Sequence, residues 1–105
     1  MMEHILLYIT CVSKQEAEKI SKVLVAKKLV ACTNILGEIS SLFRWQNEVK
    51  NEQEWAMIAK TKQSLLDEIV KEVKANHSYE CPCIIALPII GGSSDFLKWL
   101  DEETL

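Results

Sequence analysis

The chain has 105 residues, 49% of them hydrophobic, and a formal net charge of −3, with Arg44 its lone arginine. That length suits a single domain spanning residues 1–105, with a limited core. The charge balance argues against a nucleic-acid partner, which needs a basic face to displace counterions. No apolar run approaches the roughly 18 residues that span a bilayer, and no basic n-region or small-residue cleavage site opens the chain, so no membrane partner is expected. The expected location is cytoplasmic. Thiols stay reduced there, so Cys11, Cys32, Cys81 and Cys83 read as free thiols or ligands.

In chain order, His4 to Thr10 (HILLYIT) is short, β-branched and apolar on both faces, which predicts a buried strand. Ser13-Lys14-Gln15-Glu16 is an S-x-x-E capping box. Ala17, Ile20, Val23 and Leu24 then mark one helical face, ending near Lys27-Lys28, where two cations suit the helix dipole. Leu29 to Trp45 has strand composition over an unusual length, and Gly37 predicts a bulge or bend within it. Beyond Gly37, Ile39, Ser41, Phe43 and Trp45 point one way, and Ser40, Leu42 and Arg44 the other. Gln46 to Glu52 reads as a turn, and Gln53 to Thr61 returns as a strand. This hairpin reaches further than so small a core needs, and it reads as an arm for a neighbouring subunit. The apolar excess and three tryptophans (Trp45, Trp55 and Trp99) point the same way.

Ser64 is placed to cap a second helix with the stripe Leu65, Leu66, Ile69, Val70 and Val73. His77 to Cys83 (HSYECPC) leads into a strand from Ile84 to Ile90, and Pro88 sends that strand to an edge or a bulge. Gly91-Gly92 turns the chain into a short helix carrying Phe96, Leu97 and Leu100. The order β-α-β-β-α-β plus a C-terminal helix predicts an α+β fold, the ferredoxin-like split βαβ sandwich with a long central hairpin. That fold hosts many functions and settles none.

Chemistry-bearing residues crowd into HSYECPC. His77 is the natural metal ligand, although a histidine after a helix also serves as a C-terminal cation. Cys81 and Cys83 share a face if extended, and soft thiolates favour Cu(I) or Zn. However, C-x-C is not the C-x₂-C zinc spacing, and one pair leaves ligands missing. Buried cysteine is commonly a small hydrophobe, so the segment reads mainly as a structural entry into the strand. Lys60 alternates with Ala56 and Ile58 on a partly buried face and needs a partner, for which Glu80 is one option. No Ser-His-Asp set, HExxH or glycine-rich phosphate loop is present, so no enzyme is expected.

KLVACTNI (28–35), I-x-S-L-F-R-W (39–45), KT (60–61), HSYECP (77–82) and ALPI-x-x-G (86–92) with FLKWL (96–100) resemble the CutA family of divalent-cation tolerance proteins, in register over nearly the whole chain. The resemblance implies a homotrimer assembled through the long hairpins, tolerance of copper and other divalent cations, weak copper binding and no enzymatic reaction. It also implies a likeness to PII-type signalling proteins, hence the alternative of a small-molecule sensor or interaction scaffold. Its ligand cleft would lie between subunits near Trp45, Lys60, Tyr79 and Glu80 and would suit small anionic or planar ligands. The family's H-P-Y-E falls on His77, Ser78, Tyr79 and Glu80, and its W-x-G-K turn on Trp45, Gln46, Asn47 and Glu48. Asparagine tolerates the left-handed conformation that the missing glycine would supply. Some bacterial relatives carry a cysteine near the end of strand one and a second histidine before H-P-Y. Here Cys11 stands within a position of the first and Asn76 in place of the second, which makes Cys11 and His77 the implied copper ligands.

Overall fold

The structure, a computed structural model, describes residues 3–105. Strand β1 (His4–Cys11) leads into helix α1 (Lys14–Ala26), and β2 (Cys32–Trp45) pairs with β3 (Glu48–Lys62). A 3-10 turn (Gln63–Leu65) precedes α2 (Leu66–Asn76), which is followed by β4 (Ile84–Ile89) and α3 (Ser94–Glu103). The sheet order is β2-β3-β1-β4 with every neighbouring pair antiparallel. Strands β1 and β2 are therefore parallel across β3, and β3 and β4 are parallel across β1. That is the ferredoxin-like arrangement of two interleaved βαβ units.

Odd-numbered residues of β1 (Ile5, Leu7, Ile9 and Cys11) join Met57 and Ala59 of β3 in the core, beneath Ala17, Ile20 and Leu24 of α1 and Ile69 and Val73 of α2. Because side chains alternate across a strand, Leu6, Tyr8 and Thr10 must point to the opposite face. Thr61 is the polar exception in the core, and its hydroxyl donates to the Leu29 carbonyl. Helix α3 folds back onto one end of the sheet. There His4 Nε2 meets Asp101 Oδ1 at 2.8 Å, and Lys62 Nζ donates to the Leu105 carbonyl at 3.0 Å.

The hairpin of 14- and 15-residue strands sets the 44 Å long axis of the molecule. Gly37 has φ +137°, a backbone that disfavours any side chain, and it sits at the register shift between Ile35 and Gly37. The expected turn over Gln46–Glu52 is shorter. Only Gln46 and Asn47 turn, at φ 50° and 66°, and β3 already begins at Glu48. Two successive left-handed residues match the right-handed strand twist, which lets pairing start at once.

One helix end differs from expectation, the start of α2. Ser64 lies inside the 3-10 turn rather than capping α2, whose N-cap, Leu65, makes no side-chain cap bond. Helix α3 starts at Ser94, with the Ser93 hydroxyl accepting from Phe96 N–H. At the end of α1, Lys28 takes φ 60° while the N–H groups of Lys28 and Leu29 bond the carbonyls of Val25 and Leu24. Pro88 does lie in an edge strand, where its missing N–H removes no ladder bond on the open side.

Candidate functional site

Two neighbouring features form where β1 ends and HSYECPC crosses it. The first is built on Glu16. Ser13 Oγ accepts from Glu16 N–H at 3.1 Å, as a capping box requires. The Glu16 carboxylate does not return to Ser13. It accepts instead from Val12 N–H at 3.0 Å and from Ser78 N–H at 2.9 Å, tying the start of α1 to the loop after α2. Burial opposes its charged form, but these N–H donors and the neighbouring His77 hold the Glu16 carboxyl below its ordinary value.

The His77 side chain is fully buried beside it. Its Nδ1 accepts from Tyr79 N–H at 3.0 Å, and its Nε2 lies 2.8 Å from the Thr10 carbonyl. A backbone N–H can only donate and a carbonyl can only accept, so this is the Nε2–H tautomer. Nε2 is also 3.5 Å from Glu16 Oε1. Cys11 completes the group: single donor atoms from Cys11, Glu16 and His77 lie within 4.8 Å of one another. The Cys11 thiol, 3.9 Å from Met57 Sδ, is pushed up to about 12 by burial and then by the charges of Glu16 and Glu54. The set offers sulfur, nitrogen and oxygen, a mixture suited to copper or zinc. A metal could use it only after the thiol had lost its proton and Nε2 its hydrogen bond.

The second feature is a groove of about 660 Å³ on the sheet face opposite α1 and α2. Tyr8, Phe43, Trp45 and Tyr79 supply its aromatic surface. Three carboxylates line it, Glu52, Glu54 and Glu80, against one cation, Lys50, which lies 3.8 Å from Glu48. Burial, and then the nearby Glu54 and Glu52 charges, push the Tyr79 hydroxyl up to about 12. Cys81 and Cys83 also face this groove, the first exposed and the second half-buried. Burial and Glu54 push the Cys83 thiol up.

Trp45, Tyr79 and Glu80 thus meet in one groove, while Lys60 is not part of its lining. Lys60 lies further along β3, where its Nζ donates to Asn34 Oδ1 at 2.6 Å, and no Lys60–Glu80 ion pair forms among the described residues. The register explains this: Lys60 pairs with Cys32 and Leu6, several rungs from the loop that carries Glu80. Cys11 and His77 do come together. Glu16, read from the sequence only as a cap, is the third member of their group. Its S-x-x-E spacing was visible, but a bond to a residue 62 positions away was not.

A β-α-β-β-α-β sandwich with a long hairpin and a third helix defines the class of protein. Comparison with known proteins then gives the family. The family model described as CutA1 divalent ion tolerance protein matches residues 5–103. The divalent-cation tolerance protein CutA of Archaeoglobus fulgidus is 48% identical over 99 residues, covering 94% of this chain and 96% of that protein. Its structure, described as a periplasmic divalent cation tolerance protein, superposes with a TM-score of 0.92 over 95% of this chain and 97% of that one. The crystal structure of CutA1 from Oryza sativa gives a TM-score of 0.94 at 39% identity, covering 98% of this chain and 94% of that one. The chloroplastic CutA of Arabidopsis thaliana is 41% identical over 95% of this chain, which spans 55% of that protein's length. The chain belongs to the CutA1 divalent ion tolerance family. That family is named for tolerance of cations and not for a reaction. Among the described residues no helix is long and apolar enough to cross a membrane.

Proposed function

We propose that this protein serves divalent-cation tolerance as a non-enzymatic homotrimer that binds copper weakly, with Cys11 and His77 as its ligands and Glu16 beside them. The observation that carries the reading is the convergence of these three donors within 4.8 Å at the end of β1. The bonds already made there support weak binding, since copper has to displace a thiol proton and take Nε2 from the Thr10 carbonyl. The trimer is supported by apolar side chains left in solvent: Leu42 at 72% exposure on the hairpin, and Ile85 at 53% and Leu87 at 46% on edge strand β4.

Copper titrated by calorimetry into wild type, Cys11→Ser, His77→Ala and a Cys81→Ser/Cys83→Ser double variant tests the metal reading. Cys11→Ser and His77→Ala should each weaken binding, and the double variant should leave it nearly intact. Copper binding that survives the first two and disappears in the double variant overturns the reading and moves the site into the groove. Light scattering after gel filtration should give about three chain masses at micromolar concentration; a monomer there removes the trimer.

A further inference from the structure

Met57 reaches the end of β1 from the neighbouring strand. It pairs with Ile9 in the register while Cys11 pairs with Trp55, so the two sulfur residues are diagonal neighbours in the core. The Cys11 thiol donates to Met57 Sδ at 3.9 Å, and both residues are fully buried. The His77 side chain is buried as completely, and the donor atoms of Cys11, Glu16 and His77 lie within 4.8 Å of one another. Sulfur ligands stand about 2.3 Å from a first-row metal ion, so two of them at trigonal angles are roughly 4.0 Å apart. The sulfur pair already has that spacing. A thioether is also a soft donor without charge, which suits a buried site.

We propose that Met57 is a further ligand of this site and that the ion selected is Cu(I), held by Cys11, Met57 and His77 with Glu16 outside the set. The inference rests on the copper reading above and adds to it an oxidation state and a third ligand. Thiolate and thioether together favour monovalent copper, whereas harder divalent ions favour oxygen. Charge points the same way. As the S–Cu bond forms, the thiol proton leaves to solvent, one positive charge replaces another, and no electron moves. The charge of a buried place is thereby unchanged. A divalent ion brings a second positive charge there, which is costly unless a partner offsets it. Glu16 is the carboxylate at hand, but Oε1 already accepts from Val12 N–H and Oε2 from Ser78 N–H. Oxygens so engaged are poorer donors to a metal.

Cu(I) titrated anaerobically into the full chain against a chromophoric competing chelator tests this, beside Cu(II) and Zn²⁺. Zn²⁺ at equal concentration should not displace Cu(I). Met57→Leu nearly conserves volume and keeps the core apolar. It should weaken Cu(I) binding by roughly tenfold or more and leave Cu(II) binding as in wild type. Circular dichroism shows whether the variant keeps its fold. X-ray absorption at the copper edge of the wild-type complex should show two sulfur neighbours, a readout that needs no variant. A single sulfur neighbour in wild type, unchanged Cu(I) affinity in folded Met57→Leu, or displacement by Zn²⁺ overturns the proposal. Cys11→Ser and His77→Ala separate the two readings. Copper lost in both but kept in Met57→Leu overturns only the Met57 ligand, whereas copper kept in all three overturns the copper reading with it.

Discussion

The two faces of strand β1 live in different solvents although their residues alternate in the chain. Ile5, Leu7, Ile9 and Cys11 are buried under α1 and α2, whereas Leu6 and Tyr8 stay half-buried on a face that no helix roofs beyond the end held by α3. The covered face is dominated by apolar groups, with the satisfied Thr61 hydroxyl among them. The open face mixes aromatic rings, aliphatic side chains and carboxylates. Structural stability resides on the first, and chemistry and association have room only on the second and along its margin, where HSYECPC crosses the end of β1.

The largest effect should separate the faces directly. Leu7→Ala removes a fully buried side chain and should cost about 2–5 kcal/mol in denaturant unfolding. Leu87→Ala, on exposed β4, should cost under about 1 kcal/mol at dilutions where the chain is a monomer. A Leu87 cost that grows with protein concentration would show that another copy covers the open face. A cost equal to that of Leu7 at every dilution would break the comparison.

At the margin between the faces, Glu16→Gln should cost about 1–3 kcal/mol at pH 7, because two backbone N–H groups lose a charged acceptor. The Glu16 carboxyl titrates lower folded than unfolded. Its contribution is therefore complete above the unfolded value and is lost as pH falls through the folded one. Unfolding curves of wild type and variant should converge on acidification, and a gap that stays constant or widens toward acid contradicts this account.

Copper binding at Cys11 has the opposite requirement, a proton removed from a buried thiol that titrates at about 12. Affinity should rise roughly tenfold per pH unit across the neutral range, since each bound metal expels one proton. Calorimetry in buffers of different ionisation enthalpy would measure that proton, and a pH-independent affinity removes Cys11 from the ligand set. The smallest effect belongs to Lys60→Met, which loses one bond to the neutral Asn34 side chain. We expect a change within about 1 kcal/mol and copper binding as in wild type. A loss of several kcal/mol would mean that Lys60 has a buried acidic partner after all.

Much of this molecule is written in short-range patterns. Period-two and period-3.6 spacings place the strands and α1 and α2, Gly37 marks the bulge, Asn47 accepts the left-handed turn, and Pro88 sits on an edge strand. Each depends on residues a few positions apart, whose geometry the local backbone dictates. What the chain order does not contain is the bond from Glu16 to Ser78, from His77 to Thr10, or from Lys60 to Asn34, spanning 62, 67 and 26 residues. The S-x-x-E motif made Glu16 a cap, and only the packing of α1 against the loop after α2 turned its free oxygens toward Cys11 and His77. Likewise, alternation told which residues of β3 share a face, but the register of β1 against β3 decided that Glu54, and not Lys60, lines the groove. Local sequence selects conformations that sterics and nearby hydrogen bonds already favour. Which distant side chains meet is settled by the one packing that buries the apolar face of every element at once.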